Sequence, residues 1–228
     1  MGADSLINLH THTKFSDGDF TPEQIVLTAE ANHLTHIGIS DHLMTTKCNS
    51  LYASELENYI NTLRELQDHY PRVEILAGVE IDTNQKRCDL NALPIDLLNT
   101  LDYILFEYVE MDEGTSLYDL EPLLCQLEVP CGLAHNDIEK NFGPWPPDSV
   151  ADHIAEFGVF VEINTAWPYK RDGQMYWEKA ERYFREFHGK VLVSVGTDAH
   201  HSLPEVYNLD KAYRFLRRTN LLDDLVVG

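Results

Sequence analysis

His10 and His12 stand one residue apart at the end of an apolar run, and side chains two apart on an extended chain point the same way. Two neutral imidazoles so placed would grip one cation at about 2.0–2.1 Å. Asp198 and His200 repeat the spacing near the other end of the chain, with an acid in the first position. Asp17, His42, Glu80 and His135 lie between the two pairs. Imidazole nitrogens and carboxylate oxygens are the donors of zinc, manganese and iron sites, and a histidine-rich set favours these over magnesium. One ion cannot use so many donors, so two or three divalent ions are implied, with a carboxylate shared between them. Taken singly, each residue has a plainer use. Glu80 suits a salt bridge at a strand end, Asp17-Gly18 suits a turn, and Asp198 suits a helix cap. Their joint placement gives the set its weight.

That placement follows from the elements. Short apolar runs rich in Ile, Val and Leu cover residues 5–10, 35–40, 73–80, 102–109, 130–135, 159–164 and 191–196. Near-continuous apolarity marks strands buried on both faces, as in parallel sheets. Helical patterns lie between them. Thr21-Pro22-Glu23 reads as an N-cap, a first-turn proline and an early acid, opening a helix to about Asn32. Leu56, Ile60, Leu63 and Leu66 mark another over 53–69, and further helices are expected over 117–127, 148–157, 174–187 and 204–218. Strand-then-helix alternation predicts a single-domain α/β fold, most simply a (β/α)7 barrel, with an open doubly wound sheet as the alternative. The candidate ligands sit at the C-terminal ends of the strand candidates. In a barrel those ends share one mouth, and the first and last strands are neighbours, so the two spaced pairs would face each other.

Composition limits the partners. The chain has 228 residues, with 38 acidic and 17 basic side chains and a formal charge of −21. Phosphate backbones are held mainly by Lys and Arg, so a nucleic-acid scaffold and an anionic membrane surface are both disfavoured. Bound cations would reverse the local field for an anionic substrate. No run approaches the ~20 apolar residues of a membrane span. The opening MGADSLINLH lacks the basic stretch of a secretory signal, and Leu6 stands where an acylation motif wants Ser or Thr. Cys48, Cys88, Cys125 and Cys131 form no C-x-x-C pair and are expected to be reduced, in a cytoplasmic protein. His33, His36, His69, His153, His188 and His201 are expected to be ordinary core or surface residues.

LHTHTKFSDG, GISDH, AGVE, LAH and GTDAH, in this order from His10 to His200, resemble the PHP (polymerase and histidinol phosphatase) domain family. The resemblance implies a distorted TIM-like barrel of seven strands and seven helices, a trinuclear metal centre and phosphoester hydrolysis. By position, His10, His12, Glu80 and Asp198 would hold one ion. Glu80 would bridge to a second ion that also uses His135, and Asp17, His42 and His200 would hold a third. The family places another second-site histidine where this chain has Val109. Glu107, two residues earlier and on the same side of the strand, is the expected substitute, with Glu110 the other candidate.

A hydroxide held between ions would be the nucleophile. Glu80, Asp198 and His200 are the expected catalytic members, with Asp198 or His200 relaying protons. Lys14, Lys170 and Arg171 are candidate phosphate contacts, although a basic pair is more often a solvated surface. Trp145 and Trp167 sit in Pro-containing loops and would either stack on an aromatic substrate or pack. Asn164 is expected at the mouth. The leading expectation is hydrolysis of a small-molecule phosphate ester. The alternatives are a nuclease, which the charge disfavours, and a regulatory metal-binding protein with little turnover, which Val109 makes credible. Oligomeric state is not legible.

Overall fold

The computed structural model describes residues 5–227; the Met1-Gly2 start, read above as neither leader nor acylation site, lies outside them. Seven parallel strands form a nearly closed barrel with helices between them: β1 (Ile7–Asn8), β2 (His36–Ile39), β3 (Glu74–Asp82), β4 (Tyr103–Glu107), β5 (Cys131–Leu133), β6 (Phe160–Asn164) and β7 (Val193–Gly196). Each pairs with its sequence neighbour. A short extension after β2, His42–Leu43, pairs with β3 and sets His42 beside Glu80. The ring closes between β1 and β7 through single bonds: Leu9 N donates to Val195 O at 2.8 Å, Asp198 N to His10 O at 2.8 Å and His12 N to Ala199 O at 3.0 Å. The two spaced pairs of the sequence therefore meet at the closing seam.

The strands are buried on both faces; in β3 only the first residue is exposed. Inside the barrel the Tyr103 ring crosses from β4 towards β1, and its hydroxyl donates to Leu9 O at 2.6 Å. Gly78 leaves room for that ring, since a Cβ there would collide with it.

The main helices are α1 (Pro22–Ala31), α2 (Leu56–His69), α3 (Leu117–Leu124), α4 (Pro147–Glu156), α5 (Glu181–Phe187) and α6 (Asp210–Thr219). α1 opens with a capping box between Thr21 and Gln24. α2 buries Leu56, Tyr59, Ile60 and Leu63, and the Tyr59 hydroxyl lies 2.8 Å from the carbonyls of both Ile39 and Gly78, pinning the helix to β2 and β3.

Several expected helices are shorter or broken. Residues 174–187 begin with a two-residue hairpin strand, Gln174–Met175, paired with Lys170–Arg171. One turn, Tyr176–Lys179, then precedes α5, with Ala180 between them. Residues 204–218 divide into a 3-10 turn, Leu203–Tyr207, and α6. No helix is long and apolar enough to cross a membrane among the described residues.

Candidate metal centre

The strand ends bring the expected ligands into one cup. His10 Nε2 lies 3.0 Å from His12 Nε2, 3.3 Å from Asp198 Oδ1 and 3.4 Å from Glu80 Oε1. His12 Nε2 lies 3.0 Å from Asp198 Oδ1 and 3.5 Å from Glu80 Oε2. Tetrahedral donors about 2.0–2.1 Å from one ion stand about 3.3–3.4 Å apart, so this spacing fits a shared cation. A second group joins His12, Asp17, His42 and His200. Asp17 Oδ1 is 3.2 Å from His200 Nε2, and Asp17 Oδ2 is 3.8 Å from His42 Nε2. His12 belongs to both groups, and its Nε2 faces the first.

Two orphaned atoms support the same conclusion. His12 Nδ1 and His42 Nδ1 are buried without a hydrogen-bond partner, although His42 Nδ1 approaches Glu80 Oε2 to 3.0 Å. Buried polar atoms are ordinarily satisfied, and ring nitrogens close to carboxylates without bonding alignment suit a cation between them.

The backbone is strained where it presents two of these residues. His135 and Asp198 have φ of 33° and 49°, in a region costing non-glycine residues about 1–3 kcal/mol each.

Charge alternates through the cup. Burial works against a proton on His10, but Glu162, Glu80 and Asp198 outweigh it and raise its pKa well above the ordinary value. His42 is likewise raised against burial, mainly by Glu80, to about 11. His12 goes the other way: burial, then the charge of His42, lowers it to about 3. Glu80 and Asp198 stay well below the usual carboxylate range despite burial, with His10 the largest opposing influence on each. Protons thus hold these carboxylates together, and a bound cation would displace them.

The β4 side differs. His135 Nε2 is 3.0 Å from Glu80 Oε1, and its ring stacks on Tyr169 at 4.1 Å. Val109 is fully buried and offers no donor. Glu107 is 1% exposed, and both its oxygens accept from Lys47 Nζ, at 2.8 and 2.7 Å. His42, Glu80 and Glu107 form a third group of donors, but two of its members belong to the other groups and the third is engaged by Lys47. The first two groups fit ions, whereas the third already has an ammonium against its Glu107 carboxylate. Glu110 turns away, and its carboxylate accepts from Leu117 N at 2.8 Å.

Three supporting residues were not singled out in the sequence. Glu162, buried on β6, takes a 2.9 Å contact from His10 Nδ1, a 2.6 Å bond from His135 N and a 3.0 Å bond from Asn164 Nδ2. A lone acid inside an apolar strand, in phase with Asn164, was its available signal. Asn164 itself braces Glu162 from a buried position. Gly196 permits this packing, because a Cβ there would run into Glu162 and His10. Tyr169 donates to Asp198 Oδ2 at 2.6 Å. Lys47 is the third. Asp41, beside His42, faces away from the donors and holds the 12–18 loop by accepting from Thr13 N, Thr13 Oγ1 and Ser16 Oγ.

A cleft of about 580 Å³ opens beside Asp17, Asp198 and His200, lined also by Trp167, Lys170 and Lys211. Trp167 is 78% exposed, and Lys170 Nζ lies 5.9 Å from its ring. Of the three expected phosphate contacts only Lys170 lines this cleft. Lys14 is exposed elsewhere, and Arg171 is held by Asp137 at 3.1 Å and Glu139 at 2.8 Å, which commits it to loop structure. Trp145 packs against His153 at 5.0 Å. His201 joins the cleft lining and pairs with Asp19 at 3.1 Å.

A parallel β/α barrel with clustered imidazoles and carboxylates at its C-terminal mouth defines a metal-binding barrel of the kind that carries active sites there. Residues 8–197 match the model of the PHP domain, and the chain belongs to that family. Among solved structures it is similar to the histidinol phosphate phosphatase of Lactococcus lactis subsp. lactis, complexed with zinc, L-histidinol and phosphate. The two are 17% identical with a TM-score of 0.64, over 95% of this chain and 94% of that one. It is also similar to a structure from the metal-dependent tyrosine phosphatases of Bacillus subtilis and Streptococcus pneumoniae, at 19% identity and TM-score 0.54, over 98% and 96% of the two chains. A Thermobifida fusca endoglucanase catalytic domain, 10% identical, reaches a TM-score of 0.55 over 95% and 77%, so these likenesses carry the fold and not the chemistry. A comparison with curated protein sequences gives no match.

Proposed function

We propose that the chain is a metal-dependent hydrolase of small phosphate esters. The observation that carries this reading is the mutual spacing of His10, His12, Glu80 and Asp198, 3.0–3.5 Å between donor atoms in a buried cup. Family membership and the phosphatases among its structural relatives support it. His10, His12, Glu80 and Asp198 would hold one divalent ion, and Asp17, His42 and His200 another, with zinc, manganese or iron suited to the donor set. Such ions supply a nucleophile from water near neutral pH and offset charge on a phosphoryl group.

The chain's own residues hold this arrangement and receive the ester. Glu162 fixes the His10 ring through Nδ1, leaving Nε2 to face the cup. Tyr169 takes one oxygen of Asp198, so the other faces His10 and His12. Asp17 and His200 form the edge between cup and cleft, where the phosphoryl group would lie. Lys170 offers it a positive charge, and Trp167 offers a flat face to the rest of the molecule. The four cysteines are free, which suits a reducing cytoplasm.

A panel of phosphate monoesters and diesters, assayed with manganese, zinc and iron, tests the reading. Monoester turnover lost on chelation is expected. A panel inactive with every metal, on protein shown to bind ions, would instead indicate a metal-binding protein without turnover.

A further inference from the structure

The barrel mouth offers three groups of converging donors, and one of them already contains a cation. Glu107 closes β4 with both oxygens accepting from Lys47 Nζ at 2.7–2.8 Å. We infer that the Lys47 ammonium takes the place of a divalent ion beside Glu107, so that two ions and one lysine complete the centre instead of three ions. This rests on the metal-hydrolase reading above and refines it.

Lys47 is not a free surface lysine that happens to reach inward. Its loop is pinned on several sides. Lys47 N donates to Thr45 Oγ1 at 3.1 Å, Thr45 Oγ1 to Asp82 Oδ2 at 3.0 Å, and Thr46 N to Arg87 O at 3.0 Å. The ammonium also lies 5.4 Å from the centre of the Tyr108 ring. Arg87, the neighbouring cation over the same ring, is engaged by Asp82 at 2.7 Å.

Of the donors a further ion would need, His135 remains, with its Nε2 3.0 Å from Glu80 Oε1, and one imidazole does not hold an ion by itself. Glu80 faces His10, His12, His42 and His135. The Glu110 carboxylate accepts from Leu117 N, and Val109 is aliphatic. An ion placed against Glu107 would have to displace Lys47 or endure a like charge in contact with the same carboxylate. Lys47 instead puts a positive charge at this edge of the cup that no chelator can remove.

Two measurements test this. In the first, wild type and Glu107→Gln are saturated with manganese and the ions per chain counted by elemental analysis. Two ions in both is the expected result. Three in the wild type, or the loss of one in the variant, would overturn the inference and leave the hydrolase reading standing. Fewer than two in the wild type would remove that reading and the inference with it.

The second uses the wild type alone, so it does not depend on the variant folding. Reductive methylation of Lys47, followed by peptide mass mapping, is compared with and without manganese. The expected labelling is slow and equal in both. A rise of about tenfold on loading, the factor expected when a charge-assisted hydrogen bond is lost, would show that Glu107 had passed to the metal, and would overturn the inference.

Discussion

The seam between β1 and β7 and the edge formed by β4 face each other across one cup, yet they are built on different plans. At the seam, His10, His12 and Asp198 bring donor atoms to within 3.0–3.3 Å of one another. Among the described residues no lysine or arginine is paired with them, and of the two imidazoles only His10 is held in the protonated form. At the β4 edge, Glu107 meets a fixed ammonium, and Val109, buried two residues on, has no donor side chain. Buried carboxylates need compensation. An exchangeable ion can provide it on one side and a covalently held lysine on the other. An acidic residue at a strand end thus has two ways to have its charge answered, and Glu107 has the lysine beside it.

Substitutions of unequal force can break or sharpen this contrast. The largest effect is expected at the seam. His10→Ala or Asp198→Ala should lose bound metal and reduce turnover by roughly a thousandfold or more, read by elemental analysis beside ester hydrolysis. Normal metal content in both would break the contrast. Glu162→Gln should keep the fold but loosen His10, weakening metal affinity by about 10–100-fold; titration with a chromophoric chelator measures it, and an unchanged affinity would remove Glu162 from the support of the seam. Tyr169→Phe deletes one bond to Asp198 and should weaken affinity by about tenfold or less. The smallest effect is expected in the cleft. Lys170→Ala should raise KM about threefold with kcat nearly unchanged, whereas Arg171→Ala should leave KM alone. The reverse result would move the phosphate contact to Arg171.

Much of the seam was legible because it depends on local spacing and barrel closure alone. His10-x-His12 and Asp198-x-His200 project in pairs, and β1 and β7 must meet if the sheet closes. The barrel class followed from apolar runs alternating with helical patterns. The β4 edge was less legible for a physical reason. Lys47 reaches Glu107 from a loop sixty positions earlier in the chain, and nothing periodic marks such a reach. Glu107 was singled out from its place two residues before Val109, but its partner could not be seen. Glu162 was hidden inside an apolar run whose charge was the clue. The break at Ala180 and the division between Leu203–Tyr207 and α6 leave no mark in the local periodicity.

Anomalous scattering from a crystal of the wild-type chain grown with manganese tests the central claim most directly. The account predicts two peaks, one enclosed by His10, His12, Glu80 and Asp198 and one by Asp17, His42 and His200. A cup without either peak, with these side chains turned away from one another, would contradict it.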